Sequence, residues 1–149
     1  MDIDLELILA RADEQPTDVE ARIAAAYALD RADREDEAIV HYDAAWRLGI
    51  PDDRRHRFLV GYGVALRTVG RLEEAVALLG EATTASPAYP PYKAFLALAL
   101  HSAGEHTAAL ATMMDALLDV AAGASLDGYD QALAHHQREL LDQALAGAR

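Results

Sequence analysis

The six histidines are the residues of this 149-residue chain whose type could support metal binding or acid–base catalysis. His101 and His106 lie on either side of Gly104, a predicted turn, so the spacing does not require their rings to converge. His135 and His136 are adjacent on a predicted helix and point about 100° apart, which is poor for chelating one metal ion. The chain has no His-Glu-x-x-His motif. We therefore predict no metal site, and a His-based metal enzyme is only a minor alternative.

Motifs for nucleophilic catalysis and phosphate binding are also missing from the sequence. The absence of cysteine excludes disulfides, thiolate nucleophiles and cysteine-ligated zinc. The serines Ser86, Ser102 and Ser125 occur in no Gly-x-Ser-x-Gly motif. Gly61 and Gly63 lie inside a predicted helix, without the Gly-Lys-Ser/Thr ending of a phosphate loop. We predict no catalytic residue, no cofactor and no small-molecule substrate.

A repeated pattern of small residues indicates the elements that organise the chain. Three groups of small residues share spacings of 12 and 7 residues, and the groups begin 37 and 34 residues apart. Two helices pack closely only where a residue is small, and a period of this length is typical of stacked helical hairpins. The groups are Ala26, Ala38 and Ala45; Gly63, Ala75 and Ala82; and Ala97, Ala109 and Ala116. Large apolar residues follow at fixed distances: Leu29, Leu66 and Leu100, and Tyr42, Leu79 and Met113.

Apolar periodicity, together with the positions of proline and glycine, predicts eight helices and no strand. Thr17 and Glu20 have the spacing of a capping box at the start of the second helix. The expected helices cover about 3–14, 17–30, 34–48, 53–69, 72–85, 90–104, 105–122 and 126–146.

The charge of the chain is strongly negative and unevenly distributed. The net charge is −12, and residues 1–53 hold 15 acidic and 5 basic residues. Such a charge disfavours nucleic acid as a partner and favours basic protein segments. The N-terminus is acidic where a signal peptide would be basic, and no apolar run reaches the length of a membrane span. We expect a cytoplasmic protein that binds no membrane. A local basic cluster contains Arg54, Arg55, Arg57, Arg67 and Arg71.

The segment 58–75 resembles the tetratricopeptide repeat family. It has the small residue of the family at Gly63, the turn glycine at Gly70 and the alanine at Ala75, and the closing proline follows at Pro87. The leading tryptophan of the family is absent from all three copies, and the first copy has Asp33 in place of the turn glycine. A closer resemblance, to a small bacterial branch of stand-alone proteins that are thought to dimerise, rests on the segments 49–55 and 95–100.

The resemblance implies an all-α, right-handed solenoid of about three helical hairpins in a single domain, 1–149. Its expected parts are a half-repeat helix at 2–16, repeats at 17–51, 54–87 and 90–123, and a capping helix at 125–147.

In such a stack the first helix of each hairpin lines a concave groove, and residues one turn apart point the same way. The expected function is a non-enzymatic adaptor that binds a peptide or helix in this groove. Family members that clamp a C-terminal carboxylate use lysine and asparagine there, whereas this groove is apolar. Its predicted residues are Ile23, Tyr27, Val60, Val64, Arg67, Ala94, Leu98 and His101.

Three other interpretations of the groove residues are retained. They could pack against each other or against the last helix, without a partner. A second copy of the chain could fill the groove, giving a homodimer that the acidic first third and the basic cluster would orient. An RNA-binding helical repeat has nearly the same period, but it needs polar base-reading residues on a basic face.

Overall fold

The structure, a computed structural model, describes residues 3–122 and 129–148. Within these residues the regular elements are eight α-helices and a short 3-10 turn at Asp52–Arg54, which confirms the all-α prediction. The helices are α1 (Ile3–Glu14), α2 (Val19–Arg31), α3 (Glu35–Leu48), α4 (Arg55–Thr68), α5 (Leu72–Ala85), α6 (Pro90–Ser102), α7 (His106–Ala121) and α8 (Asp130–Gly147).

The start of α2 corrects the predicted capping box. Asp18 is the N-cap instead of Thr17, and its Oδ1 accepts a hydrogen bond of 3.0 Å from the backbone N–H of Glu20. A side-chain oxygen at the N-cap reaches the N–H two residues on, so Asp18 fits where Thr17 is one residue too early. The predicted start of the last helix, 126, lies outside the described residues, and α8 is described from Asp130.

Two compact units are present, residues 1–70 and residues 71–149, named here the first and second units. In the first unit α1 packs on α2, α2 packs on α3, and α4 contacts both α2 and α3. In the second unit α5 packs on α6, α6 on α7, and α7 on α8. The unit boundary falls between the two helices of the predicted second repeat, and the single domain over 1–149 stays a prediction.

The repeated small residues are buried, as close helix contact requires. The turns between paired helices also share one backbone conformation. Asp33 has φ 54° at the position where Gly70 and Gly104 have φ 83° and 85°, and aspartate is one of the few residues that tolerate this left-handed region. The buried alanines of the pattern, each at most 6% exposed, are Ala26, Ala38, Ala45, Ala75, Ala82, Ala97, Ala109 and Ala116.

No helix in the described part of the chain combines the length and the apolar character that crossing a membrane requires.

A polar pair connects α2 to α3. The NH1 nitrogen of Arg22 lies 3.2 Å from Nδ1 of His41. A guanidinium has only donors, so Nδ1 of His41 must accept and the neutral ring carries its proton on Nε2. Desolvation by burial lowers the pKa of His41 below its ordinary value of 6.5, and the charge of Arg22 lowers it further. The charges of Asp13 and Glu37 raise this pKa and offset part of the shift.

We expect the titration of His41 to lower the free energy of unfolding as the pH drops below 6.5. The folded pKa lies below the unfolded value, so the unfolded state takes up the proton first and is favoured by acid. His41→Gln keeps an acceptor for Arg22 but does not titrate. Its urea midpoint should therefore fall less than that of the wild type between about pH 7.5 and pH 5.5. Equal falls in the two proteins would show that His41 does not carry this dependence.

Candidate protein-binding surfaces

A partly polar cavity of about 270 Å³ lies on the first unit. The guanidinium carbon of Arg57 lies 4.7 Å from the centre of the Tyr27 ring, a cation–π contact. The Tyr27 hydroxyl is buried and has no hydrogen-bond partner among the described residues. The Tyr42 hydroxyl donates to a carboxylate oxygen of Asp30, and burial raises the pKa of Asp30. The cavity is lined by Tyr27, Asp30, Arg31, Tyr42, Arg57, Val60 and Gly61.

The position of Gly61 inside α4 is explained by this cavity. A Cβ atom at residue 61 would lie 2.6 Å from the Tyr42 hydroxyl oxygen and 3.3 Å from the ring carbon that bears it. Such an approach is shorter than van der Waals contact. Glycine is therefore favoured because α4 crosses the end of a buried tyrosine, which a Cβ would have to displace, although glycine costs about 1 kcal/mol in helix propensity.

Aromatic side chains hold α4 on the hairpin of α2 and α3. The Phe58 ring meets the Tyr42 ring edge-on at 5.4 Å and stacks on Trp46 at 6.4 Å. The Tyr62 ring stacks on Tyr42 at 5.7 Å, and its hydroxyl donates a 2.5 Å hydrogen bond to Asp43. Two aromatic residues of α4, four positions apart, thus cover the apolar face of α3.

The second unit has a larger groove, of about 720 Å³, between α6 and α7. Every lining residue is apolar. On the α7 side, Leu110, Met113, Leu117 and Val120 are 53%, 38%, 50% and 67% exposed, and their spacing of 3, 4 and 3 residues places them in one stripe along the helix. The groove is lined by Pro90, Pro91, Ala94, Phe95, Leu110, Met113, Met114, Ala116, Leu117 and Val120. We name it the α6–α7 groove.

The exposed stripe departs from the repeat pattern. Met113 occupies the same repeat position as Tyr42, 71 residues earlier, yet Tyr42 is 1% exposed. In the first unit α4 contacts both helices of the preceding hairpin. In the second unit α8 packs on α7, and no packing of α8 on α6 is seen within residues 3–122 and 129–148. The face that α4 covers in the first unit is therefore largely exposed in the second.

The residues predicted to line a concave groove are distributed over the two units. In the first unit Ile23 is buried, Tyr27 and Val60 line the polar cavity, and Val64 and Arg67 are half-buried. In the second unit Ala94 lines the α6–α7 groove, while Leu98 and His101 are exposed. The α7 stripe was missed as a site, although four apolar residues at helical spacing were visible in the sequence.

The rings of His101 and His106 converge, an arrangement that their spacing permits but does not require. Their Nδ1 atoms are 3.0 Å apart, with ring centres 4.7 Å apart. The left-handed Gly104 turn brings the end of α6 and the start of α7 together, which sequence spacing alone could not show. No group of three or more potential metal ligands occurs among the described residues.

Comparison with protein families gives one finding. The family model of the tetratrico peptide repeat matches residues 19–140, which is most of the chain and includes α2 to α7. No curated protein matches the sequence significantly.

We expect Gly61→Ala to lower the free energy of unfolding by about 2 kcal/mol, because the new methyl group must displace the buried Tyr42 ring from Asp30. Gly80→Ala is the matched control. Gly80 also lies inside a helix, but a Cβ there would meet nothing within 4 Å. It should raise stability by about 0.5–1 kcal/mol. Urea unfolding of both variants provides the measurement, and a stabilised Gly61→Ala protein would contradict the steric explanation.

Proposed function

The chain belongs to the tetratricopeptide repeat family, and we propose that it is a non-enzymatic adaptor that binds a protein through the α6–α7 groove. Repeats of this family generally mediate protein–protein interactions. The observation that carries the proposal is the exposed stripe of α7 beside the apolar start of α6. Monomeric proteins rarely leave a continuous apolar patch of several side chains in water without a partner for it.

The chemistry of the groove favours burial of apolar anchors by a protein partner. Removing one leucine-sized side chain from water contributes about 1.5–3 kcal/mol, so a few anchors supply most of the affinity. None of the ten lining residues carries a charge, so no charged group has to be desolvated inside the groove.

The predicted concave surface of the first unit is a further part of this proposal. Tyr27 and Val60 line the partly polar cavity together with Arg57 and Asp30. A peptide bound there would meet the Tyr27 ring, the Arg57 guanidinium above it and the Asp30 carboxylate at the cavity wall. We propose that this cavity selects a polar group of a bound peptide, whereas the α6–α7 groove takes apolar side chains.

Self-association is the second candidate function, and the same α7 stripe favours it. In a two-fold dimer, α7 of one copy would face α7 of the other, and an apolar stripe is complementary to itself. Nucleic acid is a poor candidate. The net charge of −12 repels phosphate, and two arginines of the basic cluster already pair with acids: Arg54 with Glu20 and Arg71 with Glu74. A cytoplasmic location and a bacterial source stay predictions.

We expect Leu117→Glu to abolish binding through the groove, because it places a charge in the middle of the apolar stripe. Affinity capture from a native cell extract, quantified by mass spectrometry, should show proteins held by the wild type and lost from this variant. Size-exclusion chromatography with light scattering would show whether a dimer is lost at the same time.

Val40→Glu is the control for that experiment. Val40 is 57% exposed on α3 and lies outside both surfaces, so the variant adds the same charge elsewhere. It should keep every interaction of the wild type. Unchanged capture and unchanged mass in Leu117→Glu, with a native circular dichroism spectrum, would exclude the groove as a binding surface.

A further inference from the structure

The α6–α7 groove shares several repeat positions with the surface of α2 and α3 on which α4 packs in the first unit. A shift of 71 residues relates two of the three small-residue groups, Ala26, Ala38 and Ala45 and Ala97, Ala109 and Ala116. The same shift relates residues of α2 and α3, of which Tyr42 and Trp46 contact aromatic side chains of α4, to residues of the groove. The pairs are Ile23 and Ala94, Ile39 and Leu110, Tyr42 and Met113, and Trp46 and Leu117.

Burial at these paired positions differs in a consistent direction. Ile39 and Tyr42 are 9% and 1% exposed, whereas Leu110 and Met113 are 53% and 38% exposed. Trp46 is more exposed than the others but still stacks on Phe58 of α4. The hairpin of α6 and α7 therefore presents a surface built to receive a helix. In the first unit, that helix is seen in place.

The helix α4 shows which side chains such a surface receives. Its two central contacts come from Phe58 and Tyr62, one helical turn apart. Basic residues lie at its N-terminal end, where Arg54 pairs with Glu20 at 3.4 Å and Arg57 lies over Tyr27. The segment 54–69 contains four arginines and no acid.

The charge of the second unit favours a basic occupant for the groove as well. Residues 71–149 contain ten acids and four bases. Lys93 bridges Asp115 and Asp119 at 2.7 and 2.6 Å, and Arg71 pairs with Glu74, so these two bases and three acids offset one another and the acids outside these pairs still outnumber the bases outside them. A basic helix would be attracted to this unit, whereas a second copy of the chain, at −12, would be repelled.

We infer that the α6–α7 groove binds an amphipathic helix of another protein that is patterned like α4. It carries two bulky apolar side chains four residues apart, with basic residues beside them. This inference rests on the proposed function, because it names the partner of the same groove. An amphipathic helix binds an apolar groove by burying anchor side chains at such positions, i and i+4.

The segment 54–69 itself supplies the probe, with two substitutions that favour a helix. In the chain, Gly61 avoids a clash with the Tyr42 hydroxyl. The groove has Met113 at the repeat position of Tyr42, so the peptide does not need this glycine. A labelled peptide of residues 54–69 with Gly61→Ala and Gly63→Ala therefore keeps the anchors and gains helix propensity. A control peptide carries Phe58→Ser and Tyr62→Ser in addition and keeps all four arginines.

Fluorescence anisotropy of the labelled peptide, titrated with the full chain, measures the binding. The wild type and Val40→Glu should bind it equally. Leu117→Glu and the control peptide should each weaken binding by at least about tenfold, the equivalent of about 1.4 kcal/mol. Circular dichroism would confirm that both protein variants remain helical.

Three results would overturn the inference. Equal binding of the control peptide would mean that the arginines alone are recognised. Binding that Leu117→Glu leaves unchanged would place the peptide elsewhere on the chain. Failure of the peptide to bind, together with loss of a dimer in Leu117→Glu, would make a second copy the occupant. In this last case the groove would still be a protein-binding surface, so the proposed function would stand while the inference failed.

Discussion

A helical hairpin of this protein has an apolar face that its own two helices cannot bury. The small residues at the crossings bring the paired helices close, but they leave the large side chains beside them on one outer face. In the first unit this face includes Tyr42, which is almost fully buried beneath Phe58 and Tyr62 of α4. The requirement that another helix covers this face explains why hairpins stack, and it also explains why an uncovered face is a candidate binding site.

Close packing also determines details that are local in the sequence. The Tyr42 side chain extends from α3 to α2, where its hydroxyl donates to Asp30, and α4 crosses the end of this side chain. A side chain at residue 61 would displace Tyr42, so glycine is favoured there. A tyrosine, an aspartate and a glycine on three helices are thus one packing unit. The free energy that α4 loses in helix propensity at Gly61 is offset by burial of an aromatic residue and a satisfied hydroxyl.

Much of the fold could be predicted because its signals are local. Proline and glycine mark the helix ends, and apolar periodicity marks the buried sides, so the predicted and observed helices agree within a few residues where both are described. The N-cap of α2 was misplaced because Thr17 and Asp18 are both good capping residues. Whether His101 and His106 converge could not be predicted, because it depends on the direction in which the chain leaves the Gly104 turn.

The positions of the helices and the family could be predicted from the sequence alone, since the repeated small residues and their period are properties of the chain. The tertiary structure decided which apolar face is covered. Met113 fits the repeat pattern as well as Tyr42 does. Tyr42 is buried because α4 packs on both α2 and α3, whereas among the described residues α8 packs on α7 without packing on α6, and Met113 stays exposed. Burial depends on whether another helix packs on a given face, whereas helical periodicity predicts only which residues share that face.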